Sequence, residues 1–144
     1  MTVDENKISN ILAELSLTDK ANVVTGHGMW TTRIIGDAGI PALTVTDGPN
    51  GARGAGLMGT GTPTACIPAG SVLGSTWNPT LMEELGVLLA EESIAKGAHV
   101  LLAPTINLHR NPLGGRNFEC YSEDPYLTGT LAAGYINGVQ SQHV

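Results

Sequence analysis

Two short apolar runs, from Gly39 to Thr46 and from His99 to Ala103, each open into a glycine-rich loop that carries charge. Helical periods lie before, between and after them. Ile8, Ile11, Leu12 and Leu15 share one helical face, which predicts a helix from about Lys7 to Leu15. Thr18 reads as the cap of a second helix ending near Gly26. Between the two runs, Ser71 to Thr76 reads as a further short strand. A strong helix follows, with Asn78 as cap, Pro79 at its first position and Gly97 as its stop. Its predicted buried stripe is Leu81, Leu85, Leu88 and Leu89. Asp124 and Pro125 start a last helix, with Leu127, Leu131, Ile136 and Val139 as its apolar set. Strands that alternate with helices imply parallel crossovers and an α/β fold. In such folds ligands bind beyond the C-terminal ends of the strands, which is where both charged loops leave.

The 144 residues suffice for one core and are few for two ordinary domains. A 42% apolar and only 14% charged composition argues against disorder. The net charge of −6, with no local cluster of Lys or Arg, argues against a nucleic-acid partner. No apolar run approaches the roughly 20 residues of a membrane-spanning helix. Met1 to Glu5 lacks the basic start and apolar stretch of a secretory signal, so a cytoplasmic protein is the expectation. Cys66 and Cys120 have no metal-ligand spacing and are expected as free thiols. Neither a metal nor a cofactor is expected.

The chemistry-bearing residues admit more than one reading at this level. Asp47, at the end of a strand and before Gly48-Pro49, can accept hydrogen bonds from two adjacent sugar hydroxyls. It can equally cap its own backbone in an Asx-turn, and spacing alone does not separate the two. Arg53 and Arg116 are either ligand contacts or surface charges. Arg116 lies in a loop otherwise poor in charge, with Glu119 three residues on to hold its guanidinium fork, so an Arg–Glu pair that orients the loop is its second reading. Glu123 and Asp124 fit the acidic start of a helix. Gly54-Ala55-Gly56-Leu57-Met58-Gly59 matches a dinucleotide-binding pattern, but it begins several residues after the strand and runs into Thr60-Gly61-Thr62-Pro63 rather than a helix. His99 reads as a core histidine and His109 as a peripheral loop residue. Trp30 and Trp77 are expected in the core, with sugar stacking as the alternative.

Thr46-Asp47-Gly48-Pro49-Asn50-Gly51-Ala52-Arg53 closely resembles the N-terminal signature of family 3 glycoside hydrolases, the β-glucosidase group. So do Ala103-Pro104-Thr105-Ile106-Asn107-Leu108, Pro112 to Glu119, and Tyr121-Ser122-Glu123-Asp124-Pro125. The resemblance runs in order from about Ile11 to Gln142. It implies the opening part of a (β/α)8 barrel, an incomplete TIM barrel of roughly three strands with their helices, with residues 1–144 forming one partial domain. It also implies that Asp47, Arg53 and Arg116 contact a β-linked sugar, with no cofactor. The family adds a Lys-His pair, an aspartate nucleophile and an acid/base carboxylate later in the polypeptide, and no residue here is expected to be catalytic. Retaining hydrolysis needs two carboxyl groups about 5–5.5 Å apart, and a full barrel takes about 250 residues. The expectation is therefore a sugar grip without independent hydrolysis, marginally stable alone. The alternatives are a non-catalytic truncated product, a split enzyme whose other chain completes the barrel, and, more distantly, a nucleotide-binding module.

Overall fold

A computed structural model describes residues 4–54 and 62–144, in two compact units that divide after Thr44. In the first, helix α1 (Glu5–Glu14) is capped by Asp4, whose carboxylate accepts the Lys7 amide at 3.0 Å. Helix α2 (Leu17–Val23) is capped by Ser16, not by Thr18. The Ser16 hydroxyl accepts the Asp19 amide at 3.1 Å and donates to the Asp19 carboxylate at 2.5 Å. The cap thus lies two residues before the predicted one. The predicted stripe of α1 lines an apolar groove together with Val23, Val24 and Ile40. Three isolated antiparallel bridges and a short 3-10 turn at Gly36–Ala38 complete the unit.

The second unit is built on two parallel strands. β1 (Val45–Asp47) pairs with β2 (Val100–Leu102) in the register Val45–Val100, Thr46–Leu101, Asp47–Leu102. Helices α3 (Gly70–Gly74) and α4 (Pro79–Ala95) make the crossover, and α5 (Pro125–Ser141) follows β2. The α/β class and the parallel pairing are as expected, but the described residues hold two strands rather than three. The segment predicted as a strand at Ser71 to Thr76 is helical, because Gly70 and Gly74 let it lie directly against the backbone of Glu119 and Tyr121.

Helix α4 starts as its sequence dictates. The Asn78 side chain accepts the Leu81 amide at 3.1 Å, and Pro79 occupies the first turn. Its buried face is Met82, Gly86, Leu89, Ala90 and Ser93, so the stripe is rotated from the predicted one and Leu88 is exposed. The reason is the seam with α5. A Cβ on Gly86 would sit 2.3 Å from the Tyr135 carbonyl oxygen, and one on Gly138 would sit 2.1 Å from that of Glu83. Glycine contact, rather than a leucine stripe, sets how closely the helices approach. On α5, Leu131 and Val139 are buried as predicted, joined by Tyr135 and Thr128. His99 and Trp77 were expected in the core and are both exposed; Trp77 ends the α3 turn in a left-handed conformation, φ 55°. Trp30 is half-buried.

Candidate functional site

Asp47 is the last residue of β1, and the chain turns sharply after it. The Arg53 amide returns to the Asp47 carbonyl at 2.9 Å, and the buried Thr46 hydroxyl accepts the Gly54 amide at 2.8 Å. The turn needs glycine at its apex. Gly51 has φ 154°, and a Cβ there would meet the Ala65 carbonyl oxygen at 2.4 Å. The turn is thereby laid against residues 64–68. Asn50 seals the contact from both ends: its carbonyl accepts the Ile67 amide at 2.9 Å and its side chain donates to the Pro68 carbonyl at 2.7 Å.

The Asp47 carboxylate does not fold back onto its own backbone. Among the described residues its hydrogen bond is to Arg53, whose Nη1 lies 3.4 Å from Oδ2. That favours an outward-facing carboxylate over the Asx-turn. An open cleft of about 400 Å³ lies over this pair, lined by Asp47, Arg53, the turn between them, Thr64, Cys66, Phe118 and Glu119.

Arg116 sits just outside that lining. It grips Glu119 with both arms of its guanidinium, Nε to Oε1 and, at 3.0 Å, Nη2 to Oε2. Glu119 is nearly enclosed, whereas Arg116 is mostly exposed. The hydrogen bond from Arg116, helped by its charge and by the Thr105 hydroxyl at 3.3 Å, holds the Glu119 carboxyl below the ordinary carboxylate range, against the opposing effect of burial. The same hydrogen bond and charge push Arg116 higher, and the negative charge of Asp47 contributes to that rise. Asp47 and Arg53 are thus paired at the C-terminal end of β1, while Arg116 is paired with Glu119.

His109 has a structural task. Its ring Nε2 donates to the Cys120 carbonyl at 2.9 Å and its amide to Ser122, pinning the loop that carries Arg116 and Glu119. Asp124 caps α5 by accepting the Tyr126 amide, as its position implied. From Ala55 onward the glycine pattern considered for nucleotide binding lies outside the described residues. After Thr62 no helix opens until Gly70. Sequence reasoning missed Thr64, Cys66 and Phe118 as lining residues. The first two sit in a stretch without periodicity, and Phe118 stood unremarked inside a motif. Among the described residues no group of three His, Cys, Asp or Glu could hold a metal ion, and no helix is long and apolar enough to cross a membrane.

A parallel β-α-β unit with charged groups beyond its strand ends is the arrangement of an α/β protein's ligand face. Residues 2–144 match the glycosyl hydrolase family 3 N terminal domain, so the chain belongs to that family. A β-glucosidase of Rhizobium radiobacter is 53% identical over 137 residues, covering 95% of this chain and 17% of that protein. Beta-glucosidase B of Emericella nidulans is 48% identical over 142 residues, again 17% of its length. Among solved structures, a β-glucosidase from Kluyveromyces marxianus in complex with glucose superposes with a TM-score of 0.89 at 45% identity, over 93% of this chain and 16% of that one. β-Glucosidase 3B from Thermotoga neapolitana, also in complex with glucose, gives 0.86 at 40% identity, over 94% of this chain and 22% of that one. The sequence thus spans about a sixth of the curated relatives it matches.

Proposed function

We propose that this chain forms the sugar-gripping N-terminal part of a retaining β-glucosidase barrel, and that it does not hydrolyse glycosides alone. Asp47 accepts hydrogen bonds from adjacent hydroxyls of a terminal β-linked sugar, Arg53 holds that carboxylate in place through its 3.4 Å contact, and Arg116 adds donors from the facing loop. Charge-assisted bonds of this kind are short and directional, which suits a neutral polyol. Phe118, 59% exposed at the rim of the same cleft, offers an apolar face to the ring. The observation that carries this reading is the outward-facing Asp47–Arg53 pair on a strand end, opening into a cleft shared with Glu119. The glucose held by the relatives from Kluyveromyces marxianus and Thermotoga neapolitana supports the choice of ligand.

Double displacement requires a nucleophile and an acid/base group flanking the scissile bond. In this reading both come from outside residues 1–144, and the remainder of the barrel, on the same polypeptide or another chain, is the partner. Val100 and Leu102 of β2 are 39% and 48% exposed, apolar surface that further strands and side chains of a barrel interior would cover.

The two thiols provide the test. Cys66 is exposed and lines the cleft, whereas Cys120 is buried. Saturating glucose should slow alkylation of Cys66, while equimolar mannitol should not; Cys120 serves as the internal control. Equal rates with and without glucose would remove the saccharide reading. An aryl β-glucoside should stay intact with this chain alone and be cleaved when the downstream segment of a relative is supplied.

A further inference from the structure

We infer that Lys96 and Glu92, both on or at the end of α4, are positioning residues that tie together two stretches of the cleft wall, the Asp47–Arg53 turn and the segment at Thr64 and Ala65. The inference rests on the saccharide reading above. The Lys96 side chain is driven into the interior, only 6% exposed. Its Nζ donates to the Ala52 carbonyl at 2.6 Å, immediately before Arg53, and lies 3.7 Å from the Glu92 carboxylate. Its stem passes under Gly54, where a Cβ would stand 3.2 Å from Lys96 Cδ. Glu92 reaches the other way. Its Oε1 accepts the Ala65 amide at 2.8 Å, and its Oε2 accepts the Thr64 hydroxyl.

One ion pair thus holds the Asp47–Arg53 turn through Ala52 and the adjoining stretch through Thr64 and Ala65, beside the Asn50 contacts to Ile67 and Pro68. Exposed lysine–glutamate pairs four residues apart on a helix are ordinarily solvated and contribute little. This pair is different because each member also hydrogen-bonds a different stretch of the connection between β1 and α3. A buried ammonium that lost its partners would leave an uncompensated charge, so the two contacts stand or fall together. Sugar binding needs the Asp47 carboxylate fixed relative to the rest of the cleft lining, and neither stretch has regular secondary structure to fix it.

The test uses Lys96→Met, Lys96→Arg and Glu92→Gln in the full 144-residue chain, with amide hydrogen exchange resolved by residue and glucose as the probe. Lys96→Met should raise exchange at Arg53 and Ala65 by about tenfold, equivalent to about 1.4 kcal/mol, and leave Leu131 in α5 unchanged. It should weaken glucose protection of Cys66 by a similar factor, and Lys96→Arg should recover most of both. Glu92→Gln should loosen Ala65 more than Arg53. Equal acceleration at Leu131 would overturn the proposal, since that is loss of general stability, and so would unfolding of both Lys96→Met and Glu92→Gln. Unchanged exchange at Arg53 and Ala65 would also overturn it. Absence of glucose protection in the unsubstituted chain would sink the saccharide reading instead, and the exchange data would still decide whether the pair couples the two stretches.

Discussion

Arg53 Nη1 faces Asp47 Oδ2 at 3.4 Å across the turn that ends β1, with about half of each side chain in solvent, 50% and 46%. An exposed ion pair of this kind contributes at most about 1 kcal/mol to stability. Holding the Asp47 carboxylate in place at the cleft is therefore a function better suited to it than supporting the fold. Asp47→Asn should leave the melting temperature within a few degrees of the parent, roughly what 1 kcal/mol allows, and abolish glucose protection of Cys66. A large drop in melting temperature with protection intact would reverse the assignment.

The Arg116–Glu119 pair should be visible in a carboxyl titration. Glu119 has its folded-state pKa depressed below the unfolded value of about 4.3, chiefly by the Arg116 hydrogen bond. A depressed carboxylate contributes stability that is present above the unfolded value and is lost as pH falls through the folded one. The loop from Arg116 to Cys120 should therefore hold its shape through mildly acidic pH and loosen only below the ordinary carboxylate range. Arg116→Met should move the Glu119 midpoint upward, because burial then acts with less opposition. Carbon-detected NMR of the side-chain carboxyl measures both shifts, and an unmoved midpoint in Arg116→Met would refute the pairing.

What the sequence made legible follows from how local each determinant is. The α4 start was readable because Asn78 and Pro79 act within one turn of themselves, and Asp124 was readable at α5 for the same reason. Asp47 at the strand end and the Arg116–Glu119 pair, three residues apart, were equally local. The strand expected at Ser71 to Thr76 failed because what settles it is not local. Gly70 and Gly74 face the backbone of residues 119–121, and nothing in Gly-Ser-Val-Leu-Gly announces that contact. The α4 stripe held at Leu89 and, in part, at Leu85 but not at exposed Leu88, since leucine count favours one face and glycine contact with α5 turns the helix toward another. Thr64 and Cys66 were invisible because a segment without periodicity gives no hint of which side chains face a distant turn.

The glycine seam gives a stability prediction. Gly138→Ala would place a methyl group 2.1 Å from the Glu83 carbonyl oxygen, so α4 and α5 must separate. Overpacking of this kind costs about 1–3 kcal/mol, even though alanine is by itself the better helix former by about 1 kcal/mol. Urea unfolding followed through α5 amides should show a lowered midpoint. Gly129→Ala makes the control, because nothing lies within 4 Å of its Cβ position, and it should raise the midpoint.

Tyr135 carries the prediction whose sign depends on what stands beside the sheet. Its side chain is 1% exposed, and its hydroxyl has no hydrogen-bond partner among the described residues. Burial pushes its ionisation well above the ordinary phenol value, with Tyr121 adding to the effect. A buried hydroxyl without a partner costs about 1–3 kcal/mol of desolvation, so Tyr135→Phe in this chain should raise stability rather than lower it. The ring must stay, because it packs in the main core; Tyr135→Ala should cost several kcal/mol, about 3–5 for a large aromatic. The hydroxyl belongs to a residue lining a small cavity beside Val100 and Leu101 of β2 and the following Ala103. If further strands of a barrel cover that region and supply an acceptor, the same Tyr135→Phe change should become destabilising once they are present. Chemical denaturation of both proteins, with and without the remaining barrel residues of a relative, reads the two signs directly. A stabilising effect in both would mean that the added strands leave the hydroxyl unpaired, and a destabilising effect in both would mean that it already has a partner in the isolated chain.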